Sequence, residues 1–480
     1  MRIAGCMGTI AMIRKLTFPA LLRAVSADVD AVLAAARTAV SDIVTAEQHR
    51  LDGIQRLLAS GFPPRIARIP ITNVLDGCDY TARIAIGSGH AIANVILDTG
   101  SSTLAVLPCA YDGTGDTQLQ ATTQAQLLHY GMGGWAGPVV HTSVGLGPGL
   151  TLHKTPIAIC SVQDMSTFKQ ATGIMGLAYN GLNNAYDLEK YLAQAQLPAT
   201  TYPWPFPEQS FATFDSDFKQ LRKTFGIHAQ SIGAYFDDLE SNGVVANRFA
   251  FHTLRSWVSK RAGGDAAVAA DPLNHGIFVL GGGGEQTDLY EGAFVEVNVL
   301  DDFYYNTNLK SVQVEGCAEV AAQPLQAQYL DGYKTNSIID SGTSVLWLAA
   351  DMYAAVVGSL KQLDPVFAAA IEGFATLSEQ NPGLPMSQLD LAKWPNIHFT
   401  LEGCNGQDIR LTCTPQTYWQ VDYPAAGQAY FQVIGPLQEG DANQSILGLP
   451  LLNNYYTVFD RSLSTSGVIR FAPIRRPAGA

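Results

Sequence analysis

The feature of this 480-residue chain that most restricts its fold is a ten-residue segment that occurs twice. Residues 95–104 read Val-Ile-Leu-Asp-Thr-Gly-Ser-Ser-Thr-Leu, and residues 337–346 read Ser-Ile-Ile-Asp-Ser-Gly-Thr-Ser-Val-Leu. Each copy is followed much later by two apolar residues and a glycine, at residues 174–176 and 446–448. Because the copies are so widely spaced, the repeat indicates two related lobes rather than a stack of short repeating units.

The repeat lies in a body whose local pattern is typical of a β-rich protein. From Ile69 onward, short runs rich in Val, Ile, Thr and Tyr alternate with turns rich in Gly, Asn, Asp and Pro, which predicts strands joined by tight connections. Helical spacing of apolar residues interrupts this pattern near residues 217–225, 351–360 and 365–377. We therefore predict a mainly β body with a few helices.

The N-terminal part of the chain has a different pattern. Residues 1–69 are rich in Ala and Leu at helical spacing, and a Gly-Phe-Pro-Pro sequence breaks the pattern near their end. We predict a helical N-terminal extension over residues 1–69, an N-terminal lobe over residues 70–275 and a C-terminal lobe over residues 276–480.

Each copy of the repeat places a carboxylate at the end of an apolar strand, followed by a hydroxyl residue, a glycine and a second hydroxyl residue. The glycine permits close backbone approach, and the second hydroxyl can donate a hydrogen bond to the carboxylate. Two related lobes would bring Asp98 and Asp340 face to face, where they would share one proton. One carboxyl can then accept a proton from water while the other donates one to a carbonyl oxygen, which hydrolyses an amide by general acid–base catalysis. The supporting residues of the two loops are Thr99, Gly100, Ser101, Ser341, Gly342 and Thr343.

These motifs resemble those of the pepsin-like aspartic proteases, and the resemblance covers residues 78–473. Two active-site signatures, which begin at Asp98 and Asp340, occur in order with their downstream segments. The resemblance implies a mainly β, bilobal acid-protease fold and an endopeptidase that acts on a protein or peptide substrate. It implies Asp98 and Asp340 as the catalytic pair, with no cofactor and no metal. We expect the protein to act as a monomer.

In that family a β-hairpin flap that carries a tyrosine covers the substrate. Residues 130–137 match this flap, with Tyr130, Gly131 and Trp135 as its substrate-binding residues, and the glycines allow it to open and close. The chain departs from many family members at Ala105, where they have a tryptophan that hydrogen-bonds the flap tyrosine. We expect Trp135 to take over this contact, an arrangement similar to the β-secretase flap.

A second departure is a stretch that is longer than the family leads us to expect. Residues 186–232 are the additional segment, and they include a Pro-Trp-Pro-Phe-Pro sequence. Surface loops accept extra length at small entropic cost. We therefore predict a surface excursion without a function of its own.

Charge is unevenly distributed along the chain. Residues 1–69 carry nine Lys and Arg against five Asp and Glu, whereas the remainder carries 20 against 37. The net charge of −13 argues against a nucleic-acid partner. Because a basic segment is attracted to an acidic cleft, and family zymogens resemble this arrangement, we predict an inhibitory prosegment. Its Lys15, Arg65 and Arg68 would approach the aspartates, and it would be cut near residues 67–72. The alternative is a helical extension packed on the surface.

The seven cysteines show no zinc-binding spacing, which argues against a metal site. An even number in the body suits disulfides in an oxidising compartment, and we predict a Cys404–Cys413 pair, with buried free thiols as the alternative. The six body cysteines are Cys78, Cys109, Cys160, Cys317, Cys404 and Cys413.

The sequence gives only weak indications of the cellular compartment. No apolar run approaches the roughly 18 residues that a membrane anchor needs, so we expect no transmembrane anchor. The N-terminal residues make a poor signal peptide. A secreted or acidic compartment is favoured, and a cytoplasmic one stays open.

One alternative function is a catalytically inactive pepsin-like protein that binds a ligand or an inhibitor. Such relatives typically lose one aspartate or its glycine, and both signatures are complete here. The sequence therefore favours the active endopeptidase.

Overall fold

The computed structural model describes residues 65–75, 79–130, 133–147, 149–164, 167–260, 263–375, 383–436 and 444–477. Apart from residues 241–243, these residues form one compact unit. Residues 1–64, which make up nearly all of the predicted prosegment, lie outside the described residues, as do Gly131 of the predicted flap and Cys78. The prosegment assignment therefore stays a prediction.

Strands are the main element of the described chain, and short connections join them. The strands up to the predicted lobe boundary are β1 (Ala67–Thr72), β2 (Thr81–Ile86), β3 (Ala91–Asp98), β4 (Leu104–Val106), β5 (Gln120–His129), β6 (Gly134–Gly145), β7 (Thr151–Ile159), β8 (Val162–Gln163), β9 (Gly173–Gly176), β10 (Asn184–Asp187), β11 (Ala229–Ser231), β12 (Arg248–His252) and β13 (His275–Leu280).

The remaining strands follow in the C-terminal part of the chain. They are β14 (Val295–Asn298), β15 (Asn306–Thr307), β16 (Leu309–Val314), β17 (Val320–Ala321), β18 (Ser337–Ile339), β19 (Leu346–Trp347), β20 (Leu384–Pro385), β21 (Ile397–Glu402), β22 (Asp408–Cys413), β23 (Trp419–Val421), β24 (Gln428–Phe431), β25 (Val433–Ile434), β26 (Ser445–Leu447), β27 (Tyr455–Asp460) and β28 (Val468–Pro473).

The helices are fewer and mostly short. They are α1 (Glu189–Gln194), α2 (Phe211–Phe225), α3 (Tyr235–Ser241), α4 (Gly264–Ala270), α5 (Leu330–Tyr333), α6 (Ala350–Leu363), α7 (Pro365–Ala375), α8 (Pro415–Tyr418) and α9 (Leu449–Leu452). Single 3₁₀ turns occupy Asn180–Leu182, Pro272–Asn274, Ala327–Tyr329, Met386–Gln388, Leu391–Lys393 and Cys404–Gly406.

One large sheet connects both ends of the described chain. Its 16 strands run in the order β11-β10-β5-β6-β7-β4-β9-β3-β2-β1-β13-β12-β27-β28-β14, with β8 paired to β6 at the side. Three smaller sheets contain the remaining strands of the C-terminal part. The mainly β, bilobal pepsin-like fold class is thereby confirmed. The lobe division near His275 stays a prediction, because β13 begins there and pairs with β1 on one side and β12 on the other.

Alternation of apolar and polar side chains explains why these segments form strands. Strand β21 is an example, since Ile397, Phe399 and Leu401 are fully buried while the residues between them are partly exposed. Side chains of a strand point alternately to its two faces, so this pattern buries one face against the core.

The three predicted helices are confirmed as α2, α6 and α7. Helix α2 begins where the Ser210 hydroxyl accepts a hydrogen bond from the Thr213 amide, and it ends at Gly226, whose φ is +62°. Hydroxyl caps and a left-handed glycine are the usual helix start and stop signals. None of the helices in the described part of the chain is long and apolar enough to cross a membrane.

The predicted Cys404–Cys413 disulfide is wrong. Both thiols are free, as are those of the other cysteines that the structure describes. Cys404 lies in the turn before β22 and Cys413 ends that strand. Six residues of strand span about 17 Å at roughly 3.4 Å per residue, whereas a disulfide needs Cα atoms within about 7 Å. The Cys413 sulfur instead lies 3.2 Å from the Pro450 carbonyl oxygen in the core.

The predicted approach of Arg68 to the aspartates is also wrong. Arg68 lies in β1, and its guanidinium hydrogen-bonds Gln286 Oε1 at 2.6 Å and pairs with Asp288. Strand β1, which is the predicted cleavage region, pairs with β13 over its whole length. Cleavage within residues 67–72 would therefore require this strand to leave the sheet.

Candidate active site

The two copies of the repeat form two loops with the same hydrogen-bond pattern. The Gly100 amide donates to Asp98 Oδ1 at 2.8 Å, and the Gly342 amide donates to Asp340 Oδ1 at 2.9 Å. The second oxygen of each carboxyl accepts from a hydroxyl, that of Ser101 in the first loop and that of Thr343, at 2.6 Å, in the second. Each carboxyl group is therefore fixed in orientation by its own loop.

The apolar residues that follow each copy of the repeat form a strand that pairs with the strand leading to the aspartate. Strand β3 runs parallel to β9, with Asp98 opposite Gly176, and the Leu177 amide donates to the Asp98 carbonyl oxygen at 2.7 Å. In the second copy β18 runs parallel to β26, and the Asp340 amide donates to the Leu447 carbonyl oxygen at 3.2 Å. Both aspartates thus stand at the end of a buried parallel strand pair.

Thr99 and Ser341 connect the two loops to each other. The Thr99 hydroxyl accepts from the Ser341 amide at 2.8 Å and donates to the Ile339 carbonyl oxygen at 3.1 Å. The Ser341 hydroxyl accepts from the Thr99 amide at 3.1 Å and donates to the Leu97 carbonyl oxygen at 2.8 Å. All four groups are buried, so this reciprocal pairing fixes the separation of the loops.

Each glycine of the loops lies directly against the aspartate of the other loop. A Cβ on Gly100 would lie 2.8 Å from Asp340 Oδ2, and one on Gly342 would lie closer still to the Asp98 carboxyl. Any side chain at either position would separate the two carboxyl groups. Asp98 and Asp340 are only 6% and 7% exposed. Burial, and then the neighbouring charge of Asp340, raise the pKa of Asp98 well above its usual range.

These eight residues are the ones that the sequence predicted as catalytic or supporting, and their roles stay a prediction; comparison with known proteins places the chain in a family. The family model for eukaryotic aspartyl protease matches residues 79–197 and 270–473, more than half of the chain.

The chain belongs to the eukaryotic aspartyl protease family.

Several curated aspartyl proteases are similar to most of the chain at low identity. Cathepsin E of Aquarana catesbeiana is 25% identical over 432 residues, which cover 86% of this chain and 83% of the cathepsin. Pepsin A of Sus scrofa is 23% identical over 423 residues, or 85% of this chain and 86% of the pepsin. Beta-secretase of Strongylocentrotus purpuratus is 21% identical over 408 residues, or 82% of this chain and 66% of the secretase.

The segment predicted as a flap lies at the hairpin that β5 and β6 form. Tyr130 follows β5, and its hydroxyl accepts a hydrogen bond from the Trp135 indole N–H at 3.2 Å. Ala105 and Trp135 are fully buried in the same apolar cluster, against which Tyr130 packs. The small side chain at position 105 thus leaves the space that the Trp135 ring fills. Burial raises the pKa of Tyr130, and the charge of Asp98 adds to this rise, whereas the hydrogen bond from Trp135 opposes it.

Two residues near the aspartates had no signal in the sequence. Asp79 is 9% exposed and accepts a hydrogen bond from the Ser344 hydroxyl. Burial raises the pKa of Asp79 to about 7, and the charge of Asp340 adds to this effect while Ser344 and Lys169 oppose it. The second residue near the aspartates is Tyr304. Burial, and then the charges of Asp98 and Asp340, raise the pKa of Tyr304 to about 12. A third carboxyl group therefore lies within electrostatic reach of the pair.

We predict that Asp79→Asn stabilises the protein at neutral pH and has little effect on stability at acidic pH. The folded state keeps the Asp79 proton up to about pH 7, whereas the unfolded chain releases it near its usual pKa of 3.8. This group therefore lowers the free energy of unfolding as pH rises from about 4 to about 7. Asparagine has no such proton to lose, so the variant gains a few kcal/mol at pH 7. Urea unfolding at both pH values measures the difference, and an equal change at both would contradict it.

Proposed function

We propose that this aspartyl protease is an active endopeptidase in which Asp98 and Asp340 together activate a water molecule for attack on a peptide bond. One observation carries the proposal: two buried carboxyl groups face each other, each held by an amide and a hydroxyl of its own loop. Two such groups in contact cannot both ionise at low cost, so the pair holds one proton over a range of pH.

One proton on two carboxyl groups supplies both an acid and a base. The ionised carboxylate takes a proton from water as the water oxygen bonds to the peptide carbonyl carbon. The protonated carboxyl donates its proton to the carbonyl oxygen, which gives a neutral tetrahedral intermediate. The intermediate collapses when the protonated carboxyl donates its proton to the nitrogen, the C–N bond breaks, and the ionised carboxylate takes a proton from one hydroxyl of the intermediate. A carboxylic acid, an amine and the singly protonated pair result, with no covalent bond to the enzyme.

The hairpin of β5 and β6 is the proposed flap over a bound peptide. An extended peptide would pair its backbone with strand edges, which favours a protein or peptide substrate. Tyr130, held by Trp135, is the proposed closing residue. The alternative of an inactive binding protein is not favoured, because both loops keep every donor to their aspartates.

Trp135→Phe tests the flap assignment. Phenylalanine keeps an apolar ring but removes the N–H that holds the Tyr130 hydroxyl, so kcat/KM should fall about fivefold, the equivalent of one net hydrogen bond of about 1 kcal/mol. Tyr130→Phe should have a similar effect, because it removes the acceptor. The double variant should lose no more than either single variant, since both remove the same bond. Losses that simply add would mean that the two side chains act independently.

Hydrolysis should be fastest at acidic pH. The pair must hold one proton, so the rate should fall as pH rises through the raised pKa of Asp98 and fall again in strong acid as the second carboxyl is protonated. The measurement is kcat/KM on a casein-derived peptide between about pH 2 and about pH 8. A rate that rises continuously to neutral pH would contradict the shared proton.

A further inference from the structure

The additional segment is built onto the flap hairpin. Its first strand, β10, extends the sheet beyond β5, with Tyr186 opposite Ala125, and β11 pairs with β10 on the outer side. Thr201, fully buried, donates its amide to the Thr122 carbonyl oxygen at 2.8 Å and its hydroxyl to that of Gln124 at 2.6 Å. The surface excursion predicted from the sequence is therefore an ordered layer along the edge of β5.

Helix α2 of this segment covers one face of the hairpin. Phe214 and Phe218 are 1% and 2% exposed, and they lie in one apolar cluster with Ala125 of β5 and Ala136 of β6. Leu127 packs against the same cluster. The helix thus packs against both strands of the flap hairpin.

The N-terminal end of α2 reaches the tip of the hairpin. A Cβ on Gly134 would lie 2.7 Å from the Leu128 carbonyl oxygen and closer still to the Phe211 ring, so only glycine fits there. The Phe211 ring also meets the His129 ring edge to face, with 5.1 Å between their centroids. His129 Nε2 lies 3.1 Å from Asp215 Oδ1.

The same contacts bear on Tyr130 because of strand geometry. Successive side chains point to opposite faces, and residues 125, 127 and 129 face α2 while Leu128 and Tyr130 pack in the cluster on the other face. Fixing the His129 ring against the helix therefore fixes the backbone from which the Tyr130 ring projects.

We propose that α2 is a brace for the flap, and that His129, Phe211 and Asp215 are positioning residues that hold Tyr130 ready to close on the substrate. The inference rests on the proposed endopeptidase function. The brace restricts motion of the hairpin at His129 and Gly134, so less conformational freedom is lost when the flap closes on a peptide. Removing it makes closure costlier, which weakens substrate binding more than it slows the chemical step.

Hydrogen exchange on the full 480-residue protein without substrate measures the brace directly. In Phe211→Ala and Asp215→Ala, amide exchange over residues 120–137 should rise about tenfold, because local opening of the hairpin becomes easier. Phe211→Leu keeps an apolar contact, and Asp217→Asn changes an exposed carboxylate on the same helix, so both should exchange like the wild type. Strands β21 and β22 should be unchanged in every variant. Unchanged hairpin exchange in Phe211→Ala and Asp215→Ala would overturn the brace.

Kinetics with a peptide substrate give the second readout. In Phe211→Ala and Asp215→Ala, KM should rise about three- to tenfold while kcat stays within about twofold, and Phe211→Leu should restore KM. A fall in kcat as large as the expected rise in KM, with KM itself unchanged, would overturn the positioning role.

The two readouts separate the brace from the proposed function. If the wild type does not hydrolyse peptides, the proposed function fails, and hydrogen exchange still decides the brace. If Phe211→Ala does not fold, Asp215→Ala decides both readouts, because it removes the carboxylate that pairs with His129 and Lys219 rather than a ring.

Discussion

Replacing either Asp98 or Asp340 by asparagine is expected to lower kcat by roughly a thousandfold, the middle of the range for loss of a general acid or base. Asparagine cannot exchange a proton in this pH range, so the pair loses either its acid or its base. The fold should persist, because the amide oxygen can still accept from Gly100 or Gly342. Removing one buried charge should if anything stabilise the protein near neutral pH, since the raised pKa of Asp98 disfavours its ionised form.

The measurement is turnover of a peptide substrate at acidic pH by each variant, with circular dichroism to establish folding. Asp265→Asn, which changes an exposed aspartate outside the loops, is the matched control and should keep turnover within about twofold. Retention of more than about a hundredth of wild-type turnover by either active-site variant would count against the shared-proton mechanism.

Arg461→Met is expected to cost roughly 3 kcal/mol of unfolding free energy, because Arg461 is a buried charge with several partners. Its guanidinium donates to Tyr305 Oη at 2.7 Å, to Asp237 Oδ1 at 2.7 Å and to the Leu177 carbonyl oxygen. It also lies 4.2 Å from the centre of the Tyr179 ring. Methionine fills much of the space but leaves these oxygens without their donor.

The loss in Arg461→Met should be larger near pH 7 than near pH 4. Burial raises the pKa of Asp237, and Arg461 opposes that rise, so without the arginine Asp237 binds a proton more readily in acid. A folded-state pKa above the unfolded value lowers stability as pH increases. Urea unfolding at both pH values measures this. Arg475→Met, which removes an exposed partner of Glu291, is the control and should cost less than about 1 kcal/mol. Equal losses in the two variants would show that Arg461 does not act as a buried charge.

The part of the site that could be predicted is the part encoded in short contiguous segments. A strand, an aspartate, a hydroxyl residue and a glycine specify one loop, and the repeat specifies its partner, so both loops could be predicted from the sequence alone. Helix α2 was predicted for the same reason, since its apolar residues recur at helical spacing within one segment.

The part that could not be predicted depends on residues far apart in sequence. Asp79 comes within electrostatic reach of Asp340 through its hydrogen bond with Ser344, a residue 265 positions away in sequence, and no local pattern marks it. The contact of α2 with the β5–β6 hairpin joins separate segments of the chain, since β10 pairs with β5 and the helix packs in one cluster with both hairpin strands. The disulfide prediction failed because sequence separation was taken for spatial proximity, although an extended strand carries its ends far apart.

The most direct measurement is hydrolysis of casein by the purified 480-residue protein after incubation at about pH 4, with and without pepstatin. If Asp98 and Asp340 share a proton and activate water, casein should be cut into peptides, and pepstatin should suppress the cleavage. Casein that stays intact throughout, or cleavage that proceeds at the same rate with the inhibitor present, would contradict the assignment of these two aspartates as the catalytic pair.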